Sequence, residues 1–134
     1  MKKAVFLILF ISLFACSSDK LEISKAKIVA ENLIKTIDQE QYSEISKFYT
    51  KNFNDSEPIE QRTQKFKELK IAKGALINYK LTDSVNEAKF AEDSRIILTY
   101  QIKFTNLTTS ETFTIVKDEG EYRVSGHNIK SINK

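Results

Sequence analysis

The chain has 134 residues, with 21 basic and 18 acidic side chains and a formal net charge of +3. This near balance argues against non-specific nucleic-acid binding, and the length suits one domain with its own hydrophobic core. A single cysteine and a single histidine exclude an internal disulfide and a zinc cluster of histidine and cysteine ligands.

The first 15 residues have the features of a secretory signal peptide. Lys2 and Lys3 form a positive head, and an almost unbroken apolar run follows from 4 to 14. As a helix this run would be roughly 16 Å long, far less than the hydrocarbon core of about 30 Å. We therefore expect export and cleavage rather than a membrane-spanning helix.

The end of this run, Leu13-Phe14-Ala15-Cys16, resembles the lipobox of bacterial lipoproteins. In that family the cysteine sulfur carries a diacylglycerol, and a peptidase cuts just before the cysteine. Phe14 departs from the smaller residue that many lipoboxes have there. The resemblance implies cleavage after Ala15 and lipidation of Cys16, whose acyl chains, palmitate among them, would anchor the protein to a bilayer. The alternative is an ordinary signal peptide with an incidental cysteine.

Removing residues 1–15 leaves 119 residues, with 19 basic and 18 acidic side chains. We predict that 16–23 are the lipidated cysteine and a polar tether and that 24–134 form a single domain. Ser17 follows the cysteine where enterobacterial lipoproteins of the inner membrane have aspartate. This resemblance implies anchoring to the outer membrane, facing the periplasm of the cell envelope.

Three helices are predicted in the first half of the domain, because apolar residues recur there at intervals of three and four. The first covers about 24–37, with Ser24 as its N-cap. The second covers about 42–53. The third covers about 58–73, begins at a proline and ends before Gly74.

After Gly74 the apolar period changes to two, which is typical of strands with one wet face. We predict strands over about 77–85, 95–105, 111–117 and 121–132, while 88–91 could be a short strand or part of a bulged turn. Asp118-Glu119-Gly120 predicts a tight hairpin. The side chains expected to face the core from the clearest strand are Ile96, Leu98, Tyr100, Ile102 and Phe104.

Helices followed by an antiparallel meander predict an α+β domain, with about three N-terminal helices packed on one face of a curved, cone-like sheet. The order of elements resembles the nuclear transport factor 2-like, cystatin-like cone superfamily over about residues 24–131. The similarity lies in Asp38 and Tyr42 around the end of helix one, Gly74 opening the sheet, and Phe113-Thr-Ile115 and Tyr122-Arg-Val124 around the hairpin. It implies the fold and leaves the function open, since many such members are secreted or lipid-anchored domains of unassigned role.

Enzymes of this superfamily, such as ketosteroid isomerases, use acidic and tyrosine side chains inside the cone. The resemblance therefore implies Tyr79, Asp83 and Tyr100, on the predicted inward side of their strands, as candidate ligand-binding residues. A buried carboxylate is unfavourable unless it is paired, so the alternative for Asp83 is a solvated strand end. The alternative for the tyrosines is a place in the core with the hydroxyl at a wet rim.

His127 lacks an orienting partner that the sequence reveals, so we expect a surface or sheet-edge residue rather than a general base. The third predicted helix has five cations interspersed with glutamates. This mixture predicts a solvated face, with contact to anionic lipid headgroups as the alternative. The cations are Arg62, Lys65, Lys67, Lys70 and Lys73.

No nucleophile elbow, phosphate-binding glycine loop or paired-carboxylate motif occurs in the sequence, and no cofactor or metal is implied. The first functional hypothesis is a membrane-anchored binding or interaction module. Its partner would be a small apolar ligand or an envelope protein, the latter at an outer sheet face around Ile97 and Val116. The alternative is a small cone-fold enzyme of the isomerase or dehydratase type, using carboxylate and tyrosine residues in the cavity.

Overall fold

Helices occupy the first half of the domain and strands the second, in a computed structural model that describes residues 20–87 and 94–132. The predicted signal peptide, Cys16 and the possible strand at 88–91 lie outside the described residues. The elements are α1 (Ile23–Asp38), a 3₁₀ helix (Tyr42–Phe48), α2 (Lys51–Ser56), α3 (Ile59–Lys73), β1 (Leu76–Glu87), β2 (Arg95–Phe104), β3 (Thr108–Asp118) and β4 (Glu121–Ile132). None of the helices in these two ranges is long and apolar enough to cross a bilayer.

The four strands form an antiparallel meander in the order β1-β2-β3-β4, and the helices cover one face of this curved sheet. The alternation predicted for β2 is confirmed, since its five inward side chains are all buried. Helix α1 packs against them through Ala26, Ala30, Leu33 and Ile34. The predicted α+β architecture is therefore the one observed.

The predicted second helix is wrong, because the chain breaks at Tyr49. The backbone of Tyr49 is extended, with φ −99° and ψ 154°, and forms a parallel bridge with Val124 of β4. The Thr50 amide donates to the Val124 carbonyl at 3.0 Å, and the Thr50 side chain then caps α2 by accepting from the Phe53 amide. The break fixes the Tyr49 side chain, 1% exposed, against the sheet.

Strand β1 follows its predicted pattern poorly, because it lies at the edge of the sheet and its pairing with β2 shifts register twice. The shifts fall between Leu76 and Asn78 and between Leu81 and Asp83. Because the side-chain period of a strand is two, each irregularity changes which residues face the core. Asp83 is exposed instead of inward-facing, and Ile77 and Val85 are 53% and 41% exposed.

A bulge in β4 changes the direction of its side chains half-way along the strand. Thr114 pairs with Gly126 and Ile115 pairs with Val124, so Ser125 has no partner in the β3 register. Inward-facing residues of a regular strand are two positions apart, and one extra residue increases this spacing to three. Bulges change the direction of side chains in this way. Val124 and His127 therefore both face the interior, where simple alternation would turn His127 outward.

The β3–β4 hairpin is confirmed, with Glu119 at φ 52° and Gly120 at φ 79° as its central residues. Positive φ at both positions is the signature of a type I′ turn, whose twist matches that of the strands. Gly74 ends α3, as predicted, but it is the C-cap and not the C′ residue, and its φ of 79° and ψ of −155° lie outside the left-handed helical region, in a conformation that essentially only glycine adopts.

Substituting Gly74 by alanine should destabilise the protein more than Gly120→Ala. Both residues have φ 79°, but a Cβ at Gly74 would meet Thr105 Oγ1 at 1.9 Å, whereas nothing lies within 4 Å at Gly120. Gly120→Ala should cost about 1 kcal/mol from backbone strain. Gly74→Ala should cost about 2–3 kcal/mol, because Thr105 must also give up its hydrogen bond with the Ala75 amide. Urea unfolding followed by circular dichroism measures both, and equal losses would contradict the steric explanation.

Candidate functional site

A cavity of about 630 Å³ lies between α3 and the strands β3 and β4. Most of the surface area of its walls is apolar, although polar residues outnumber apolar ones in the lining, and the exposed side chains of Lys65 and Glu68 lie at its mouth. The apolar lining is Phe53, Phe66, Leu69, Ala72, Leu107 and Ile129, and the polar lining is Tyr49, Glu57, Arg62, Lys65, Glu68, Lys73, Thr109, His127 and Ser131. This combination of apolar walls and a few convergent polar groups is typical of small-molecule sites.

A chain of hydrogen bonds runs from the wall of the cavity into the core. Tyr49 Oη lies 3.0 Å from His127 Nδ1, and His127 Nε2 lies 3.0 Å from Glu111 Oε1. The second carboxylate oxygen of Glu111 accepts a hydrogen bond from Thr109 Oγ1 at 2.9 Å. The side chains of His127 and Glu111 are only 3% and 5% exposed. His127 therefore lies on an edge strand of the sheet, as one of the two expectations had it, but its side chain is buried and not at the surface.

The antiparallel register of β3 and β4 places these groups together. Phe113 pairs with His127 and Glu111 pairs with Ile129, so the glutamate lies diagonally across from the histidine on the inner face. The Phe113 ring stacks on the imidazole with centroids 4.3 Å apart, and Phe66 of α3 lies 6.1 Å away. The imidazole is thus held in position by rings and by hydrogen bonds at both nitrogens.

Glu111 is ionised at neutral pH. Burial by itself would raise the pKa of its carboxyl, but the hydrogen bond and charge of His127, the charge of Lys73 and the Thr109 hydroxyl outweigh burial and hold the pKa below its usual range. An ionised carboxylate only accepts hydrogen bonds, so His127 Nε2 donates to Glu111. In the neutral imidazole Nδ1 then has a lone pair, and the Tyr49 hydroxyl donates to it.

Tyr49 keeps its proton over the physiological range. Burial raises the pKa of its hydroxyl strongly and the charges of Glu111 and Glu57 add to this shift, while Arg62 opposes it. When His127 is neutral, the Tyr49 oxygen still has lone pairs to accept a hydrogen bond. When His127 is protonated, Nδ1–H donates to the Tyr49 oxygen and the hydroxyl proton is free to point elsewhere. The three residues can therefore relay a proton between the cavity wall and the core.

The lowered pKa of Glu111 predicts a loss of stability in acid. The carboxyl of Glu111 has a lower pKa in the folded protein than in the unfolded chain, where the ordinary value is 4.5. Above pH 4.5 the ionised carboxylate therefore stabilises the folded protein, and this stabilisation is lost as the pH falls through the lower, folded-state pKa. The difference in unfolding free energy between the wild type and Glu111→Gln should therefore shrink as the pH falls below 4.5. Urea titrations over this range measure it, with exposed Glu121→Gln as the control. A difference that grows on acidification would contradict the assignment.

Two of the five cations of α3 are buried, so the prediction of a wholly solvated face is wrong. Arg62 is 2% exposed; it donates to Asn54 Oδ1 at 2.9 Å and to the Glu57 carbonyl at 2.8 Å, with its guanidinium over the rings of Tyr49 and Phe53. Lys73 is 5% exposed, and its ammonium lies 4.5 Å from the centroid of the Phe104 ring. Both cations line the cavity.

No protein-family model matches the chain, and no curated protein matches it in sequence. Its structure is similar to a 1.50 Å crystal structure from Novosphingobium aromaticivorans DSM 12444, of a protein provisionally assigned as a scytalone dehydratase. The TM-score is 0.55 with 7% sequence identity, and the match covers 82% of this chain and 83% of the other. The fold is the NTF2-like cone. At this identity the likeness concerns the fold alone.

The three residues expected to bind a ligand lie away from the cavity. Tyr79 and Tyr100 contact each other edge to face on β1 and β2, with centroids 6.1 Å apart, and none of Tyr79, Asp83 and Tyr100 is among the lining residues. Tyr100 is 1% exposed, and its hydroxyl has no hydrogen-bond partner within 20–87 and 94–132. Burial raises the pKa of that hydroxyl. The ligand-binding role of these three residues stays a prediction.

Two residues of the hydrogen-bond chain had a visible signal in the sequence. Glu111 has the same strand parity as Phe113 and Ile115, which places a carboxylate on the inner face of β3. Tyr49 has an inward position in the helical pattern of 42–53 and is buried, although its backbone is extended and not helical. His127 faces inward because of the bulge in β4. Among the described residues no group of three or more histidine, cysteine, aspartate or glutamate side chains could hold a metal ion.

Proposed function

We propose that this protein is a lipid-anchored domain of the bacterial cell envelope that binds a small, largely apolar ligand in its cavity. The observation that supports the proposal is the cavity itself, whose volume of about 630 Å³ lies within the range of small-molecule sites. Aromatic and aliphatic side chains supply the contact area, and the polar groups on one side can fix the orientation of the ligand.

The proposed location follows from the sequence of residues 1–16. After cleavage, an acylated Cys16 would anchor the protein to the outer membrane, facing the periplasm. The structure is compatible with a short tether: Leu21 is already buried, and the Glu22 amide donates to the Tyr122 hydroxyl at 2.8 Å. Only residues 16–20 would then separate the lipid from the folded domain, at most about 18 Å of extended chain.

Mass spectrometry of the purified protein tests the anchor. The mature N-terminus should be Cys16 with attached acyl chains, and the protein should sediment with outer membranes. Cys16→Ser should remove the acyl mass and prevent processing at this site, while Ser17→Ala should leave both unchanged. A wild-type protein that begins at another residue without lipid would refute the location.

Ligand binding can be measured with an uncharged probe, naphthalene-2-carboxamide, whose fluorescence should change on entering the cavity. The full chain in phosphatidylcholine nanodiscs should bind it with a dissociation constant below 1 mM, about 4 kcal/mol of binding free energy. Ala72→Trp, at a lining position on an exposed part of α3, should block the cavity. Ile71→Trp is the matched control, since Ile71 is 82% exposed and does not line the cavity. Equal binding by both variants would place the probe elsewhere.

A second candidate is a small enzyme that moves protons, as isomerases and dehydratases do. The observation that favours it is the hydrogen-bond chain from Tyr49 through His127 to Glu111 at the cavity wall. A substrate C–H proton could pass to the Tyr49 oxygen as the hydroxyl proton moves to His127 Nδ1. The imidazolium formed would be stabilised by the Glu111 carboxylate, and reversal of these transfers would return the proton to another atom of the substrate.

Deuterium incorporation into 2-tetralone tests the proton-transfer candidate. If Tyr49 removes protons next to the carbonyl, the protein should accelerate exchange in deuterium oxide over buffer, and Tyr49→Phe should reduce this acceleration by about 100-fold or more. Tyr79→Phe, away from the cavity, is the control. If the protein binds the amide probe but does not accelerate exchange, the proton-transfer function is refuted and the binding function stands.

A further inference from the structure

Lys73 is a buried cation that has no anionic contact in the described residues. Its side chain lines the cavity, the residue is 5% exposed, and no carboxylate of 20–87 or 94–132 lies within 4.0 Å of its ammonium. No hydrogen bond of the ammonium to another described residue occurs either, and its one close partner is the face of the Phe104 ring. Burial lowers the pKa of Lys73, and the charge of Glu111 opposes this shift.

Three other cations of α3 are paired with carboxylates of the protein. Arg62 and Lys65 share Glu57, with distances of 4.0 and 2.8 Å, and Lys70 lies 2.7 Å from Asp38 Oδ1. Lys73 is the exception among these four. A buried charge without a paired carboxylate is unfavourable unless something else compensates it. Lys73 lines the large cavity and also a small one of about 20 Å³ that it shares with Phe104 and Glu111.

Glu111 does not fill this role, because neither of its carboxylate oxygens lies within 4.0 Å of the Lys73 ammonium and each has another partner. Oε1 accepts from His127 and Oε2 accepts from Thr109. Its negative charge is nevertheless close enough to influence Lys73. Lys73 and Glu111 together have no net charge. A ligand with one negative charge would therefore give the group of Lys73, Glu111 and ligand a net charge of −1, and a ligand with two would give it −2, which Glu111 makes less favourable.

We propose that the cavity ligand carries one carboxylate, which pairs with the Lys73 ammonium while its apolar body lies against the rings of Phe53 and Phe66. This inference rests on the binding function proposed above and narrows it to monoanionic, amphipathic molecules such as aromatic or fatty acids. Lys73 is the residue that determines this specificity, since it supplies a charge-assisted hydrogen bond that a neutral ligand cannot use.

Two probes of the same shape test the inference: naphthalene-2-carboxylate and naphthalene-2-carboxamide. The full chain in phosphatidylcholine nanodiscs, with empty nanodiscs as the blank, should bind the carboxylate about 10- to 100-fold more tightly than the amide at pH 7. Lys73→Met, which keeps the length of the side chain, should remove this preference by weakening carboxylate binding about 10- to 100-fold relative to amide binding. Lys65→Met, at the exposed mouth, should retain the preference within a factor of about three.

The outcomes separate the two proposals. If neither probe binds, the binding function itself is refuted. If both bind equally to the wild type, the carboxylate inference is wrong and the binding function stands; if Lys73→Met keeps the preference, Lys73 is not the residue responsible. Should that variant fail to fold, lysine labelled with ¹³C at Cε in the wild type decides the question, because the Lys73 resonance should move with the carboxylate and stay with the amide.

Discussion

Glu111→Ala should lower the free energy of unfolding by about 3–5 kcal/mol, the usual effect of removing one partner of a buried, hydrogen-bonded charge pair. The substitution leaves His127 Nε2 and Thr109 Oγ1 without their acceptor in the buried wall of the cavity. It also removes the negative charge that accompanies the buried Lys73. Urea unfolding followed by circular dichroism measures the loss; the chain has no tryptophan to report it.

Two further variants separate the carboxylate from the volume of the side chain. Glu111→Gln keeps the shape and can still hydrogen-bond after a change of imidazole tautomer, so a loss of about 1–2 kcal/mol is expected. Glu121→Ala removes a carboxylate that pairs with Arg123 at 3.0 Å but is 72% exposed, and it should change stability by less than about 1 kcal/mol. If Glu111→Ala resembled Glu121→Ala, the network would contribute nothing to the fold.

Most of the fold was predictable because local sequence patterns determine the structure of strand β2, of the β3–β4 turn and of the ends of α3. Strand β2 alternates without irregularity, so every inward position in it was predictable. The turn at Glu119 and Gly120 needs positive φ at both positions, and the glycine indicates this for the second of them. The third helix has a proline before it and a glycine after it, and both mark the observed ends.

The site was less predictable because tertiary contacts decide the direction of its side chains. Tyr49 belongs to a stretch with helical periodicity, and only its pairing with Val124 makes the backbone extended. The direction of His127 depends on an extra residue, Ser125, and the glycine that follows it inside the strand, Gly126, is the only local sign of this bulge in the sequence. Lys73 and Arg62 lie on a helix of mixed charge, where composition predicts solvent. In each case the missing information is the position of a distant element.

The buried polar groups also bear on the choice between the two functions. A domain that only binds an apolar molecule could line its cavity with rings and aliphatic side chains, without a hydrogen-bonded histidine and glutamate in the wall. Both imidazole nitrogens of His127 are occupied, however, so any chemistry must pass through the hydroxyl of Tyr49. Deuterium exchange and ligand binding therefore measure separable properties of one cavity.

Arg62→Ala should lower the free energy of unfolding by about 3–5 kcal/mol, an effect comparable to that of Glu111→Ala. The guanidinium joins three segments: it donates to Asn54 in α2 and to the Glu57 carbonyl before α3, and it lies 4.4 Å from the centroid of the Tyr49 ring. Its removal leaves the carbonyl and the amide oxygen without their donors. Because the Tyr49 ring also loses its support, binding of the amide probe should weaken in the same variant.

Lys65→Ala is the matched control, since Lys65 also pairs with Glu57, at 2.8 Å, but its side chain is 68% exposed. We expect a change within about 0.5 kcal/mol for this variant. Arg62→Lys should fall between the two, because an ammonium keeps the charge and cannot donate to Asn54 and Glu57 in the planar geometry of a guanidinium. A loss below about 1 kcal/mol for Arg62→Ala would mean that packing of Tyr49 against β4, and not the arginine, determines the position of the tyrosine at the cavity.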